Sequence, residues 1–259
     1  MLRLHTSDDV FSLKHAPSWF MLCFAAGAVN GTALLACERF VTHVTGTVTR
    51  LGLEFARLTI MLDFLLVLIA FVAGAMVSGL LINGRAARSQ RPYFSLPLWL
   101  TAAITGAVGV VGHLGMLGPL GGPVDEPRDF VLLCALSFAM GLQNAAVATS
   151  TGQLVRTTHL TGPATDLGVH VAELLFASGP ARQLAKQHAA LRVGKLVAHV
   201  AGAALSVLLV QACGFLSLLV PAAVVVAATW LSFVRKEPAD GDMTKRVDPA
   251  ANRGACARA

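Results

Sequence analysis

Long, predominantly apolar segments alternate with short polar ones along this chain. Each apolar segment is about 20 residues long, the length that an α-helix needs to cross the hydrocarbon core of a bilayer. Strands of a membrane β-barrel would instead alternate in hydrophobicity over about ten residues. The pattern therefore predicts an all-α polytopic membrane protein with six transmembrane helices, at residues 18–37, 59–82, 96–117, 130–151, 193–213 and 215–234.

A motif with several polar residues occurs twice between these segments. The first copy reads Thr-His-Val-Thr-Gly from Thr42, and the second reads Thr-His-Leu-Thr-Gly from Thr158, 116 residues further along. Both copies continue with a threonine, a leucine and a glycine at the same spacing. The sequence Phe-Val-Ala-Gly-Ala at 71–75 likewise matches His-Val-Ala-Gly-Ala at 199–203. These matches indicate an internal duplication.

The duplication divides the chain into two repeats of three spans each. Repeat 1 covers residues 18–117 and repeat 2 covers residues 130–236, and the inter-repeat loop at 118–129 contains several prolines and glycines. The N-terminal segment at 1–17 is predicted to be cytoplasmic and loosely ordered or interfacial. The polar composition of residues 237–259 predicts a disordered C-terminal tail.

The relative direction of the repeats depends on whether the motif segments cross the membrane. Six spans make the second repeat inverted, whereas eight spans make the two copies parallel. Cytoplasmic loops are enriched in lysine and arginine, and the loop with Arg85, Arg88 and Arg91 is cytoplasmic only in the six-span topology. Arg39 argues against the six-span topology, because in that topology it lies on the outer side of the membrane. The distribution of basic residues as a whole favours two inverted three-span repeats, each with a T-H-x-T-G half-helix. Both termini are then cytoplasmic.

Each motif is predicted to begin a helix within the membrane. The Thr-Gly pair precedes an apolar periodic segment, and Pro163 follows Thr161 and Gly162 in the first turn, where its missing N–H is not needed. A helix that begins there presents unpaired N–H groups and the positive end of its dipole. Two interpretations stay open: the hydroxyls of Thr45 and Thr161 cap the helices, or they contact a ligand.

Charged and titratable residues follow each motif at matching helical steps: His43, Arg50, Glu54 and Arg57 in the first copy, and His159, Asp166, His170 and Glu173 in the second. Each set would share one helical face. Equivalent positions carry complementary groups, so we predict that the two half-helices face each other as an ion-pair or gating layer, with Arg50 bound to Asp166. Alternatively, both segments lie at opposite membrane interfaces with their charges in water.

Composition supports a membrane protein and narrows its partners. Only 13% of the residues are charged and 55% are hydrophobic, with a mean hydropathy of +0.68. The net charge of +6 lies mostly in loops and tails, which indicates attraction to acidic lipid and not nucleic-acid binding. The five cysteines have no C-x-x-C spacing, and we predict neither a metal site nor another cofactor.

Four short stretches resemble the YoaK-like family of bacterial integral membrane proteins, which are built on a domain of unknown function. They are GAVNG at 27–31, VTGT at 44–47, GLQNA at 141–145 and VRTTHLTG at 155–162. The resemblance implies a bacterial inner-membrane protein and supplies no substrate. Asn30 stands where the family usually has aspartate, and Thr47 where it usually has asparagine, so a carboxylate that would couple transport to protons is missing from the first span.

The leading functional hypothesis is a transporter or permease for a small solute, with a site at the membrane midplane. The predicted substrate-binding residues are Asn30, His43, Thr45, Gly46, Asn144, His159, Thr161 and Gly162. The helix N-termini favour an anionic group on the solute, although the two asparagines could instead form interhelical hydrogen bonds.

Two other classes of protein are compatible with the same residues. One is a non-transporting membrane scaffold, or a lipid- or partner-binding protein, in which the polar residues form sealed ion pairs. The other is an intramembrane enzyme with His43 or His159 as a base, which we do not expect because no nucleophile accompanies either histidine. The lipid bilayer is the partner that the sequence implies directly, and assembly into a homo-oligomer stays open.

Overall fold

The computed structural model describes residues 3–12, 14–118, 120–121 and 127–234, and within these ranges it contains helices joined by loops and no strands. The helices are α1 (Ser7–Phe11), α2 (Ala16–Cys37), α3 (Val44–Leu53), α4 (Leu58–Gly79), α5 (Arg85–Ala87), α6 (Leu96–His113), α7 (Pro127–Ser150), α8 (Thr161–Phe176), α9 (Gly179–Cys213) and α10 (Leu219–Ser232). A π-helical segment, Leu80–Gly84, joins α4 to α5. The predicted all-α class is confirmed. Half of the inter-repeat loop at 118–129 and the whole tail at 237–259 lie outside the described residues.

Within the described residues, five helical stretches are long and apolar enough to cross a membrane: Ala16–Cys37, Leu58–Ala87, Leu96–His113, Phe130–Ser150 and Gly179–Ser232. The chain is therefore a multi-pass membrane protein. The last stretch contains both α9 and α10, which meet at Gly214, where φ is +56°, and at the 3₁₀ segment Gly214–Leu218. Residues 179–195, which include several basic side chains, form the first half of α9, so the predicted span at 193–213 corresponds to the second half of this helix.

The two motif helices are shorter than the membrane-crossing helices. The prediction that each motif begins a helix is confirmed, because α3 begins at Val44 and α8 at Thr161. With a rise of about 1.5 Å per residue, α3 is about 15 Å long and α8 about 24 Å, whereas the hydrocarbon core is about 30 Å thick. Neither helix is long enough to cross the core along the membrane normal.

The N-terminal segment is ordered over residues 3–12, contrary to the loose structure that its polar sequence predicted. Thr6 and Asp9 form a capping box that begins α1. Val10 is fully buried, and its carbonyl accepts a hydrogen bond from the Trp19 indole at 3.1 Å. The backbone N–H of Leu4 also donates to the Ser150 carbonyl at 2.9 Å. These contacts fix the segment against the ends of α2 and α7.

Helices α2 and α7 form the centre of the bundle. Of the most apolar window in each, 67% and 61% of the residues are buried, against 22% for α4. The outer face of α4 instead exposes large apolar side chains, including Leu66, Ile69, Val72 and Met76. Such a face suits contact with lipid acyl chains, in which apolar side chains are stable and charged ones are not.

Each repeat packs its first long helix against the second long helix of the other repeat. In the duplication, α2, α3, α4 and α6 correspond to α7, α8, α9 and α10. Helix α2 packs against α9, and α4 packs against α7. A methyl group at Gly27 would overlap the carbonyl of His199, and one at Gly202 would overlap that of Phe24. Glycine at both positions therefore permits the close approach of the two backbones.

The crossing of α4 and α7 repeats this arrangement with the equivalent residues. A methyl group at Gly74 would overlap the carbonyl of Phe138, and one at Gly141 would overlap that of Phe71. Two equivalent crossings thus interlock the repeats, so that neither repeat could bury its first helix alone.

Helices α2 and α7 run in opposite directions. Gln143 of α7 donates to the carbonyl of Leu22, near the start of α2, at 3.0 Å. Ser137, nearly two turns earlier in α7, donates to the carbonyl of Val41, beyond the end of α2, at 3.1 Å. Helices α6 and α10 are antiparallel as well, because Gly106 faces Ala222 whereas Gly112 faces Phe215.

The crossing of α4 and α7 can be tested with paired glycine substitutions on α4. We expect Gly74→Ala to destabilise the protein by about 1–3 kcal/mol, the usual cost of overpacking a close contact, because its methyl group meets the backbone of α7. Gly79→Ala on the same helix meets nothing within 4 Å and serves as the control. Thermal unfolding of the detergent-solubilised protein measures both variants. Equal melting temperatures for the two would contradict the proposed close crossing.

Candidate functional site

A cavity of about 520 Å³ lies between the two motif segments. Its wall is formed mainly by equivalent residues from both repeats: Asn30 and Asn144, Thr42 and Thr158, His43 and His159, Val44 and Leu160, Thr45 and Thr161, and Phe71 and His199. Arg156 completes the lining. The structure therefore brings together six of the eight predicted substrate-binding residues. The other two, Gly46 and Gly162, lie beside the cavity, under the rings of the motif histidines.

Asn30 and Asn144 hold the chain immediately before each motif. The side-chain oxygen of Asn30 accepts hydrogen bonds from the N–H groups of Val41 and Thr42, at 3.0 and 3.2 Å. The oxygen of Asn144 accepts the equivalent bonds from Thr157 and Thr158, at 3.1 and 3.4 Å. Both amides act here as acceptors to backbone, and these bonds satisfy N–H groups that lipid could not.

The motif histidines, and not the threonines, cover the first turns of α3 and α8. The N–H of Gly162 donates to Nε2 of His159 at 3.2 Å. The ring of His43 packs against Gly46, where a side chain would overlap it, but it makes no capping hydrogen bond to α3. The absence of a side chain at each glycine makes room for the ring.

The hydroxyl groups of Thr45 and Thr161 do not cap the helices, contrary to one of the two interpretations of the sequence. Among the described residues, neither hydroxyl has a hydrogen-bond partner, and both residues are exposed in the wall of the cavity. Since neither hydroxyl is used in capping, both remain available to water or a ligand.

The predicted ion pair between Arg50 and Asp166 does not form between these two described residues. Arg50 instead lies 3.9 Å from Glu54, and Arg57 also binds Glu54. Asp166 binds Arg192 of α9 at 3.3 Å. The physical reason is that α3 packs against α4, and α8 against α9, so each set of charges faces the long helix of its own repeat.

The shared helical face predicted for the first copy is also wrong beyond Arg50. Helix α3 ends at Leu53, and Glu54 and Arg57 lie in the short turn that leads to α4. The Arg57 N–H donates to the Glu54 carbonyl at 2.8 Å and closes this turn. Glu54 is buried, and its ion pairs with the two arginines supply the partners that a buried carboxylate needs.

The charges of repeat 1 border a second cavity of about 600 Å³, which we call the vestibule. Its lining includes Arg39, Arg50, Glu54 and Arg57, and it shares His43 and Thr45 with the central cavity. The guanidinium of Arg39 lies 5.0 Å above the centre of the Phe64 ring, a cation–π contact. The first motif thus stands between the vestibule and the central cavity.

The second set of titratable residues faces α9 and not α3. Nδ1 of His170 lies 3.0 Å from Glu173, and the rings of His170 and His188 are 4.8 Å apart. These contacts all lie within repeat 2 and do not test the predicted gating role. That role therefore stays a prediction.

The central cavity has a basic and polar wall. No carboxylate is among its described lining residues. Burial lowers the pKa of His159, as do the nearby charges of Arg156 and Lys195, while Asp166 partly opposes them. A lowered pKa favours the neutral ring, whose Nε2 can accept the hydrogen bond from Gly162. Among the described residues, no cluster of three or more His, Cys, Asp or Glu side chains could hold a metal ion.

Three basic residues near this cavity were not among the residues predicted from the sequence: Arg156, Lys195 and His199. Arg156 and His199 line the cavity, and Lys195 lies one helical turn before His199. An alignment of the two repeats could have identified them, because the equivalent residues of repeat 1 are apolar: Phe40, Val67 and Phe71.

The role of Asn30 as a backbone acceptor predicts which substitutions it tolerates. A carboxylate can accept the same two N–H bonds, so we expect Asn30→Asp to keep the melting temperature close to that of the wild type. Asn30→Ala leaves both buried N–H groups without a partner and should cost about 1–3 kcal/mol for each. Asn83→Ala, at an exposed position, is the control. If Asn30→Ala is as stable as this control, the amide does not hold the motif.

Comparison with known proteins places the chain in a family but supplies no activity. The model of the family described as "Protein of unknown function (DUF1275)" matches residues 18–231, which include both repeats and both motifs. No curated protein and no solved structure matches the chain. The family agrees with the one that the sequence resembled. The protein therefore belongs to the DUF1275 family of integral membrane proteins of unknown function.

Proposed function

We propose that the protein is a small-solute transporter or permease whose substrate binds in the central cavity between two inverted repeats. The observation that carries this proposal is the lining of one cavity by equivalent residues of both motifs. Its volume of about 520 Å³ falls within the range of about 300–1,000 Å³ that is usual for small-molecule sites. A protein that only seals ion pairs between its repeats has no need of such a cavity.

The helix directions support an inverted repeat. Corresponding helices are antiparallel in two pairs, α2 with α7 and α6 with α10. Short helices that begin near the midplane, related by inverted repeats, form the substrate sites of many secondary transporters. The 14 residues of α10 and the five of the 3₁₀ segment together reach about 31 Å, so a sixth crossing is long enough. We place the protein in a bacterial inner membrane with both termini cytoplasmic.

The vestibule supplies a route to the site. It shares His43 and Thr45 with the central cavity, so a movement of the first motif would change access from that side. By the pseudo-symmetry, the second motif would control access from the opposite face. The N-termini of α3 and α8 lie at the cavity, and the positive ends of their dipoles favour an anionic group on the solute.

Accessibility of the two motif threonines tests this function. Single cysteines at Thr45 and Thr161, in a background without native cysteine, would be labelled in intact cells and inverted vesicles with a membrane-impermeant thiol reagent. We expect Thr45→Cys to react from the outer face and Thr161→Cys from the inner face, because the two motifs enter from opposite sides. Ser89→Cys, in the exposed arginine-rich loop, is the control for the cytoplasmic side.

Two outcomes of this labelling would reject the proposal. Reaction of both cysteines from the same face would make the repeats parallel and remove the basis for alternating access. Failure of both to react from either face would mean a closed interface, and the alternative of a membrane scaffold or lipid-binding protein would then be favoured.

A further inference from the structure

The wall of the central cavity departs from its two-fold pseudo-symmetry on one side. Repeat 2 has His199 and Arg156 in this wall, where repeat 1 has Phe71 and Phe40. Lys195, one turn before His199 on α9, corresponds to Val67. The aromatic and aliphatic residues of repeat 1 show that the fold accepts apolar side chains at these positions. Three basic residues in repeat 2 therefore need a reason other than the fold.

Lys195 is the most informative of the three. Its side chain is on the same side of α9 as His199, and the residue is only 2% exposed. Among the described residues, no carboxylate lies within ion-pair distance of it. The nearby Asp166 already binds Arg192 at 3.3 Å and is half exposed. A buried lysine without a counter-charge costs several kcal/mol in a low-dielectric interior.

The surroundings of Lys195 add positive charge. Arg156 and Lys195 both act on His159, which stands at the N-terminus of α8, and the dipole of that helix is positive at the same end. Asp166 already binds Arg192, so it does not balance the combined positive charge of Arg156 and Lys195. An anion in the cavity would supply the missing counter-charge.

We propose that Arg156, Lys195 and His199 form an anion subsite on the repeat 2 wall, which binds the carboxylate of a small organic acid. This inference rests on the proposed function and specifies its substrate class. Arginine suits a carboxylate because its guanidinium binds both oxygens. The apolar part of the solute lies against Phe71 on the opposite wall, which places the acid in one orientation between the repeats.

Binding can be measured by protection of a cysteine at Thr45, which lines the cavity on the repeat 1 side. The full chain in proteoliposomes, with Thr45→Cys as its single cysteine, is labelled in the presence of sodium butyrate or of butyramide. The two molecules are nearly identical in shape, but only butyrate carries a charge. We expect butyrate to slow labelling and butyramide to have little effect.

Substitutions that make repeat 2 resemble repeat 1 test the named residues. Arg156→Phe, Lys195→Val and His199→Phe should each raise the butyrate concentration for half-protection by roughly tenfold or more, since each removes a charged or polar partner of the carboxylate. Lys195→Arg should retain protection, because it keeps the charge. Lys186→Gln, at an exposed position on the same helix, should leave the half-protection concentration unchanged.

The outcomes separate this inference from the proposed function. Equal protection by butyramide, no protection by butyrate, or a similar loss with Lys186→Gln would overturn the anion subsite. If labelling from opposite faces persists in those cases, the transporter proposal stands without it. If butyrate protects as expected while both cysteines react from one face, the subsite stands and transport is rejected.

Discussion

The interlocking of the two repeats is the constraint on which the rest of the structure depends. Helices α2 and α7 can be central only because each finds its closest partner in the other repeat, α9 and α4 respectively. In lipid there is little hydrophobic force between apolar helices, so such contacts rely on close van der Waals packing. The glycines at both crossings, such as Gly27 and Gly74, permit that packing. The motif segments are then placed together at the centre.

A second constraint is that the buried N–H groups just before the motif helices need hydrogen-bond partners within the protein. Both repeats meet this requirement with equivalent residues. Asn30 and Asn144 bind the backbone before each motif, and His43 and His159 cover the first turns. Since these side chains meet the structural need, the threonines of the motif face the cavity with their hydroxyls free.

Comparison of equivalent positions in the two repeats distinguishes residues that support the fold from residues that give the cavity its charge. Positions that hold the fold, such as Asn30 and Asn144 or Gly74 and Gly202, are the same in both repeats. Positions that differ in charge lie in or beside the wall contributed by repeat 2: Arg156 and His199 line the cavity, and Lys195 lies one turn before His199. A cavity with two equal walls would bind a solute equally well in two orientations, whereas this asymmetric wall would favour one orientation of the proposed acid.

The sequence by itself determined the helical membrane architecture, the duplication, the start of a helix at each motif and six of the residues that line the cavity. Apolar length, repeat matches and Thr-Gly starts are local signals, so no knowledge of packing is needed to detect them. Only the tertiary structure decided that Glu54 and not Asp166 binds Arg50, that a histidine ring and not a threonine hydroxyl covers the first turn of each motif helix, and that Lys195 is buried beside the site. Ion pairs and burial depend on which helices are neighbours. No local sequence pattern predicts that α2 packs against α9 across the repeats.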